Sequence, residues 1–176
     1  MNVGVTGHQQ LPSPTMWDWV ASAVGHEIAK FPKPLVGVTC LALGADQLFA
    51  RAVLKQGGRL LHIKPFVDYE RTFDEAGLRT YCDLSHGLET EVMEVIGGDE
   101  DAYLAAGKRV VDHSDRLVAV WDGLPARGKG GTADVVRYAL ERFVDVLHFN
   151  PISQQFRFLT YDQTSGPRYS KSKGIT

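Results

Sequence analysis

The stretch Arg116-Leu-Val-Ala-Val-Trp121, followed by Asp122-Gly123 and then by Gly128-Lys-Gly-Gly-Thr132, decides the fold of this chain. The apolar, β-branched run predicts a strand, the glycines predict a turn, and the residues from Thr132 to about Phe143 predict a helix. A short apolar strand that leads through a glycine-rich turn into a helix is the repeating unit of α/β proteins.

The same unit recurs towards the N-terminus. Gly7 ends the apolar run 2–6, and Ser13-Pro14 then begins an amphipathic helix, as an N-cap followed by proline does. Gly44-Ala45-Asp46 leads in the same way from the run 35–41 into a second helix. The predicted strands are residues 2–6, 35–41, 59–66, 116–121 and 144–149, with a further short strand near 156–160.

Apolar strands that alternate with helices predict a parallel sheet with helices on both faces. Because crossovers between parallel strands are right-handed, the first five predicted strands are expected in an order near 3-2-1-4-5, as in a Rossmann-like, doubly wound α/β fold. Residues 69–114 have a polar, helical pattern that Gly97-Gly98-Asp99 divides into at least two helices. Residues 1–162 are expected to form this single domain, and residues 163–176, which include basic but no acidic residues, a flexible basic tail.

The composition is that of one ordinary globular domain. The chain has 176 residues, of which 44% are hydrophobic and 23% charged. The two cysteines, Cys40 and Cys82, have no disulfide or zinc-binding spacing, so a reduced, cytoplasmic setting and no metal are expected. No apolar run is long enough to span a membrane. A formal net charge of −2 lacks the basic excess of nucleic-acid binders, which disfavours DNA or RNA as the main ligand.

The junctions between strands and helices carry the unusual residues of this chain. In a parallel sheet these junctions meet at one edge, where ligands bind. Glycines there let the backbone approach a ligand closely, and helix N-termini attract anions such as phosphate. The sequence therefore predicts a site for a nucleotide or nucleotide-derived ligand, formed by Thr6, Gly7, His8, Gly44, Ala45, Asp46, Asp122, Gly130, Gly131 and Thr132.

Several of these residues leave alternatives open. The segment Gly128-Lys-Gly-Gly-Thr132 binds a phosphate or is a surface turn in which the threonine caps a helix. Asp46 caps its helix or accepts a hydrogen bond from a ribose hydroxyl, and Trp121 stacks on a base or belongs to the core. The sequence contains neither a Walker A motif nor a GxGxxG motif.

At these residues the chain resembles the SLOG superfamily. This Rossmann-like group includes the DprA/Smf DNA-processing proteins, the LOG phosphoribohydrolases and the YpsA-like proteins. The resemblance is carried by Val3-Gly-Val-Thr-Gly-His8, by Ala42-Leu-Gly-Ala-Asp46, and by Ser114-Asp-Arg-Leu-Val-Ala-Val-Trp-Asp-Gly123 together with Gly130-Gly-Thr132, and it covers roughly residues 2–149. It implies binding or sensing of a nucleotide-like ligand, and it implies a homodimer.

The resemblance does not supply a catalytic set. LOG enzymes cleave the N-glycosidic bond of nucleoside 5′-monophosphates with a glutamate three places after the Gly-Thr threonine, where this chain has Val135, and the nearest acid is Asp134. Asp134, Asp122 and Asp46 remain candidates for stabilising an oxocarbenium-like transition state in an N-glycosidase or ribosyl-transferring enzyme. A third hypothesis, binding of single-stranded DNA by analogy with DprA, is disfavoured by the acidic balance of the chain.

Overall fold

The computed structural model describes residues 1–126, 128–162 and 166–169. Along the chain the elements are β1 (Asn2–Gly7), α1 (Pro14–Ile28), β2 (Val36–Thr39), α2 (Ala45–Lys55), β3 (Arg59–Lys64), a 3₁₀ turn (Tyr69–Thr72), α3 (Glu75–Ser85), β4 (Glu89–Val92), α4 (Asp99–Asp112), β5 (Arg116–Val120), α5 (Thr132–Glu141), β6 (Asp145–Asn150), β7 (Gln155–Asp162) and β8 (Gly166–Tyr169). In the described part of the chain, no helix combines the length and the apolar character that a bilayer crossing requires.

One mainly parallel sheet organises the molecule. Its strand order is β4-β3-β2-β1-β5-β6-β7-β8. The strands from β4 to β6 pair in parallel, whereas β7 pairs with β6, and β8 with β7, in antiparallel fashion. The predicted Rossmann-like α/β class is confirmed, and the five strands predicted first are neighbours in the sheet, as β3-β2-β1-β5-β6. The predicted total of five strands is wrong, because the described residues form a sheet of eight strands and its order is correspondingly longer.

The additional strands lie at the two ends of the sheet. The predicted short strand near 156–160 is present as β7, but β4 lies within the region interpreted as helical. The sequence of β4, Glu89-Thr-Glu-Val92, is polar because its strand lies at an edge, with three of its four residues exposed, and so it lacks the apolar run of a central strand. Residues 166–169, expected in the flexible tail, pair with β7 as β8, and the rest of that tail lies outside the described residues.

Helices cover both faces of the sheet, as alternation along β5 shows. Val118 and Val120 belong to the core beneath α1 and α2, whereas Leu117 and Ala119 belong to the core beneath α4 and α5. Successive side chains of a strand point to opposite faces, so a fully apolar strand must be buried on both. The two helical layers leave between them the edge at which the parallel strands end.

Candidate functional site

A cleft of about 720 Å³ lies at the carboxyl ends of the parallel strands, between the two helical layers. It brings together residues that are far apart in the chain and that the sequence assigned to one ligand site. Of those predicted residues, Thr6, Gly7, His8, Asp46, Asp122, Gly130, Gly131 and Thr132 line the cleft. That they bind a ligand there stays a prediction.

Gly44 and Ala45, which were predicted to contact the ligand, lie behind the loop that follows β1. The Ala45 N–H donates a hydrogen bond to the His8 carbonyl oxygen (3.1 Å). Gly44 has a φ of +76°, and the carbonyl oxygens of His8 and Gln9 lie 2.6 Å from the position that a Cβ at residue 44 would occupy. This glycine therefore permits close approach of the chain to itself. At the start of α2, the His8 carbonyl therefore occupies the N–H group of Ala45, which is then not available to a ligand.

Asp46 closes the turn between β2 and α2. Its Oδ2 accepts hydrogen bonds from the Thr39 hydroxyl and from the Cys40 N–H, both at 3.0 Å, and the residue is only 6% exposed. Burial raises the pKa of its carboxyl group from 3.8 to about 7, against the lowering effect of these hydrogen bonds. The contacts favour a structural role for Asp46 over the alternative of binding a ribose hydroxyl.

The start of α5, by contrast, opens onto the cleft. Gly131 is the N-cap residue and the helix begins at Thr132, so the threonine is not the N-cap that the alternative of a surface turn requires. The Gly131 carbonyl accepts the N–H groups of Asp134 (2.9 Å) and Val135 (3.4 Å). The N–H groups of Thr132 and Ala133 make no hydrogen bond to the described part of the chain, as is usual for the first residues of a helix, and both residues line the cleft.

Asp134, a candidate catalytic residue, is not among the residues that line the cleft. Its Oδ2 accepts a hydrogen bond from the Gly130 N–H (3.2 Å), and its Oδ1 accepts one from Arg137 (2.8 Å). This carboxylate therefore stabilises the turn 128–131 through its hydrogen bond with Gly130. Gly130 itself has a φ of +82° and packs against α4, where the Leu104 nitrogen lies 2.8 Å from the position of a Cβ.

Asp122, another candidate, does line the cleft and is held next to His8. Its Oδ1 accepts the Leu124 N–H (3.0 Å) and lies 3.4 Å from Nε2 of His8, which in turn accepts the Asp122 N–H (3.2 Å). His148 donates to the Trp121 carbonyl (2.8 Å) and Asn150 to the Asp122 carbonyl (3.0 Å). Side chains of β6 therefore fix the position of this segment.

The sequence interpretation missed an aromatic wall of the cleft. Tyr69, in the 3₁₀ turn after β3, and Tyr103, on α4, both line the cleft beside Pro65. Their ring centroids are 6.3 Å apart. A signal was present, because Tyr69 follows the end of β3 at the same edge as the other junctions. It was hidden by the interpretation of residues 69–114 as polar helices.

The charges around the cleft are mixed. Among the described lining residues, His8 and Lys129 are basic, whereas Asp46, Glu100 and Asp122 are acidic. Lys129 is already paired with Asp101 of α4. No group of three or more histidine, cysteine, aspartate or glutamate side chains within the described residues is arranged to hold a metal ion. An anion in this cleft would therefore depend on backbone N–H groups more than on unpaired basic side chains.

No protein-family model matches the chain, and no curated protein does. Solved structures do match. DNA processing protein A from Helicobacter pylori is 16% identical with a TM-score of 0.58, over 84% of this chain and 64% of that one. DNA processing protein A (DprA) from Streptococcus pneumoniae is 17% identical with a TM-score of 0.58, over 84% and 49%. The X-ray structure of TM1055 is 19% identical with a TM-score of 0.52, over 82% and 71%.

These likenesses correct one expectation. The H. pylori protein has a single-stranded DNA binding mode, so the exclusion of nucleic acid as a partner is wrong for this fold. The net charge of −2 describes the whole chain and does not report the potential of one surface. The chain spans 64% and 49% of the two DNA processing proteins. It has the Rossmann-like fold of these DprA and TM1055 structures, the fold that the resemblance to the SLOG superfamily predicts.

Proposed function

We propose that the cleft binds a nucleotide or nucleotide-derived ligand, with a phosphate group at the start of α5. One observation carries this proposal. The N–H groups of Thr132 and Ala133 have no partner in the described structure, and both residues line the cleft. Unpaired N–H groups and the positive end of the helix dipole together bind phosphate at many helix N-termini.

Two neighbouring features support a phosphate at this position. Gly131 has no side chain, and a Cβ there would lie 3.0 Å from that of Ala126, which also lines the cleft, so the glycine leaves more room for a ligand than a larger residue would. The Asp134 carboxylate, which would repel an anion, is turned towards Gly130 and paired with Arg137. Its charge is therefore partly neutralised.

Thermal-shift and calorimetric titration with nucleoside mono-, di- and triphosphates, ADP-ribose and NAD test the proposal. A ligand at 100 times its dissociation constant adds about 2.7 kcal/mol of stability. We expect Gly131→Asp to abolish binding and to leave the fold intact, because aspartate is a good N-cap but places a carboxylate at the phosphate position. Gly98→Asp is the matched control, since Gly98 is the N-cap of α4, faces open space and does not line the cleft. Equal affinity of a folded Gly131→Asp variant and the wild type contradicts the phosphate position.

Binding of single-stranded DNA is a second candidate function, favoured by the likeness to the H. pylori protein. Fluorescence anisotropy with a labelled oligothymidylate, measured over a range of salt concentrations, tests it. Phosphate contacts with DNA require a steep loss of affinity with salt. DNA binding that survives Gly131→Asp would place the DNA outside the cleft, and displacement of the oligonucleotide by mononucleotides would place both ligands in it.

A further inference from the structure

We propose that Pro65, Tyr69 and Tyr103 form a second subsite of this cleft, which takes the base of the ligand, and that the Tyr69 hydroxyl donates a hydrogen bond to an acceptor atom of that base. The inference rests on the proposed function, since it concerns the same ligand. It concerns the part of the cleft that is lined from the loop after β3 and from the first half of α4.

The Tyr69 hydroxyl is the polar group of this subsite. Tyr69 is only 3% exposed, yet its hydroxyl makes no hydrogen bond to the described residues. The hydroxyl is also not completely inaccessible to solvent. Among the described residues, the completely inaccessible side-chain polar atom without a hydrogen-bond partner is Nε2 of His62. Since Tyr69 lines the cleft, its hydroxyl opens there. A buried tyrosine usually has a hydrogen-bond partner, and a ligand in the cleft supplies one.

Neighbouring rings hold Tyr69 in place. Its ring centroid lies 5.0 Å from that of Phe73, 5.5 Å from that of Phe66 and 5.8 Å from that of Tyr81, in edge-to-face arrangements. These contacts fix the direction of the hydroxyl before any ligand arrives. A donor that is already oriented loses little entropy on binding, which strengthens its contribution to affinity.

The chemistry of the subsite fits a base better than a second phosphate. Burial raises the pKa of the Tyr69 hydroxyl, so it stays protonated and acts as a donor. Pro65 and the ring of Tyr103 offer the apolar and aromatic surface on which bases stack. Bases carry carbonyl and ring-nitrogen acceptors.

The distance between the two subsites fits an extended ligand. Three strand spacings separate the end of β5, which precedes α5, from the end of β3, which precedes Tyr69, and they amount to roughly 14 Å along the sheet edge. Tyr103 lies nearer to α5, since the nitrogen of the next residue, Leu104, is 2.8 Å from the Cβ position of Gly130. A phosphate ion alone does not reach both ends of the cleft. A ligand with a phosphate at one end and a base at the other does.

The test compares Tyr69→Phe with Tyr81→Phe in the full chain. Both tyrosines are buried in the same aromatic cluster, but Tyr81 does not line the cleft, so its variant is the matched control. The probes are the four common nucleoside 5′-monophosphates and ribose 5-phosphate, titrated calorimetrically. We expect Tyr69→Phe to weaken the tightest nucleoside monophosphate by roughly 5- to 50-fold, since it removes one hydrogen bond to a buried group. We expect ribose 5-phosphate, which has no base, to bind both variants and the wild type equally.

Three results overturn the subsite. Equal weakening by Tyr69→Phe and Tyr81→Phe assigns the effect to packing of the aromatic cluster. Nucleoside monophosphates that bind no more tightly than ribose 5-phosphate show that the base is not held, while the phosphate position stands. If neither kind of probe binds, the proposed function fails and the subsite fails with it.

Discussion

The starts of α2 and α5 follow the same sequence pattern and differ in the folded protein. Each helix follows a strand of the parallel sheet and has a glycine as its N-cap, Gly44 in α2 and Gly131 in α5. At α2 the first N–H group is taken by the His8 carbonyl. At α5 the corresponding groups face the cleft. A glycine at a helix start thus allows close approach either of the chain itself or of a ligand, and only the tertiary structure separates the two.

The largest expected effect concerns the closed start of α2. The pKa of Asp46 is about 7 in the folded protein against 3.8 ordinarily. Because folding raises this pKa, its contribution to stability is complete below pH 3.8 and is lost as the pH rises through about 7. Asp46→Asn keeps an oxygen that can accept from Thr39 and Cys40 but does not titrate. We expect the variant to gain stability relative to the wild type between pH 4 and pH 8, by at most about 4 kcal/mol.

Urea unfolding of both proteins across this pH range measures the effect. If the difference in the free energy of unfolding between the two proteins stays constant with pH, the pKa of Asp46 is the same in the folded and unfolded states. That result would contradict the raised pKa of Asp46 at the start of α2.

The next prediction compares the cost of adding a Cβ at the start of α2 and at the start of α5. Gly44→Ala forces a Cβ towards the carbonyl oxygens of His8 and Gln9 in a left-handed conformation, so we expect a loss of roughly 2–4 kcal/mol in the free energy of unfolding. The Cβ of Gly131→Ala meets the Ala126 Cβ at 3.0 Å and the Gly128 carbonyl oxygen at 3.4 Å, and the φ of −67° at residue 131 suits any residue. We expect that variant to lose less than about 1 kcal/mol. Equal losses in urea unfolding would contradict the distinction between the two helix starts.

The five central strands and the helices that follow β1, β2 and β5 were predictable from the sequence. Their apolar runs end at turn residues, either glycine or proline, and this local pattern persists because the strands are buried on both faces. The polar edge strand β4 was not predictable in the same way. With only β3 as a neighbour, its residues carry no apolar periodicity to distinguish them from a helix or a loop.

The sequence predicted that the candidate site lies at the junctions between strands and helices. It did not predict which of the junction residues line the cleft and which contact other parts of the chain. The sequence placed Gly44, Asp46 and Gly131 at one edge, and in the structure all three lie at or near the starts of the helices that follow β2 and β5. It could not show that the loop after β1 packs on Gly44, or that Asp46 bonds to the end of its own strand. The orientation of Tyr69 depends on contacts with the rings of Tyr81 on α3 and Tyr103 on α4. Such long-range contacts leave no local pattern in the sequence.

The smallest expected effect concerns Asp134, the carboxylate nearest to the open start of α5. In the proposed complex its negative charge opposes the phosphate, although Arg137 partly neutralises it. Asp134→Asn keeps an oxygen for the Gly130 N–H, so we expect a loss of stability below about 1 kcal/mol and a gain in nucleotide affinity of roughly 2- to 5-fold. Asp18→Asn, on the exposed side of α1, changes the net charge equally and controls for long-range effects. An equal gain in affinity in both variants would reflect net charge alone. A loss of affinity confined to Asp134→Asn would mean that this carboxylate helps to bind the ligand, which contradicts the role that its contacts indicate.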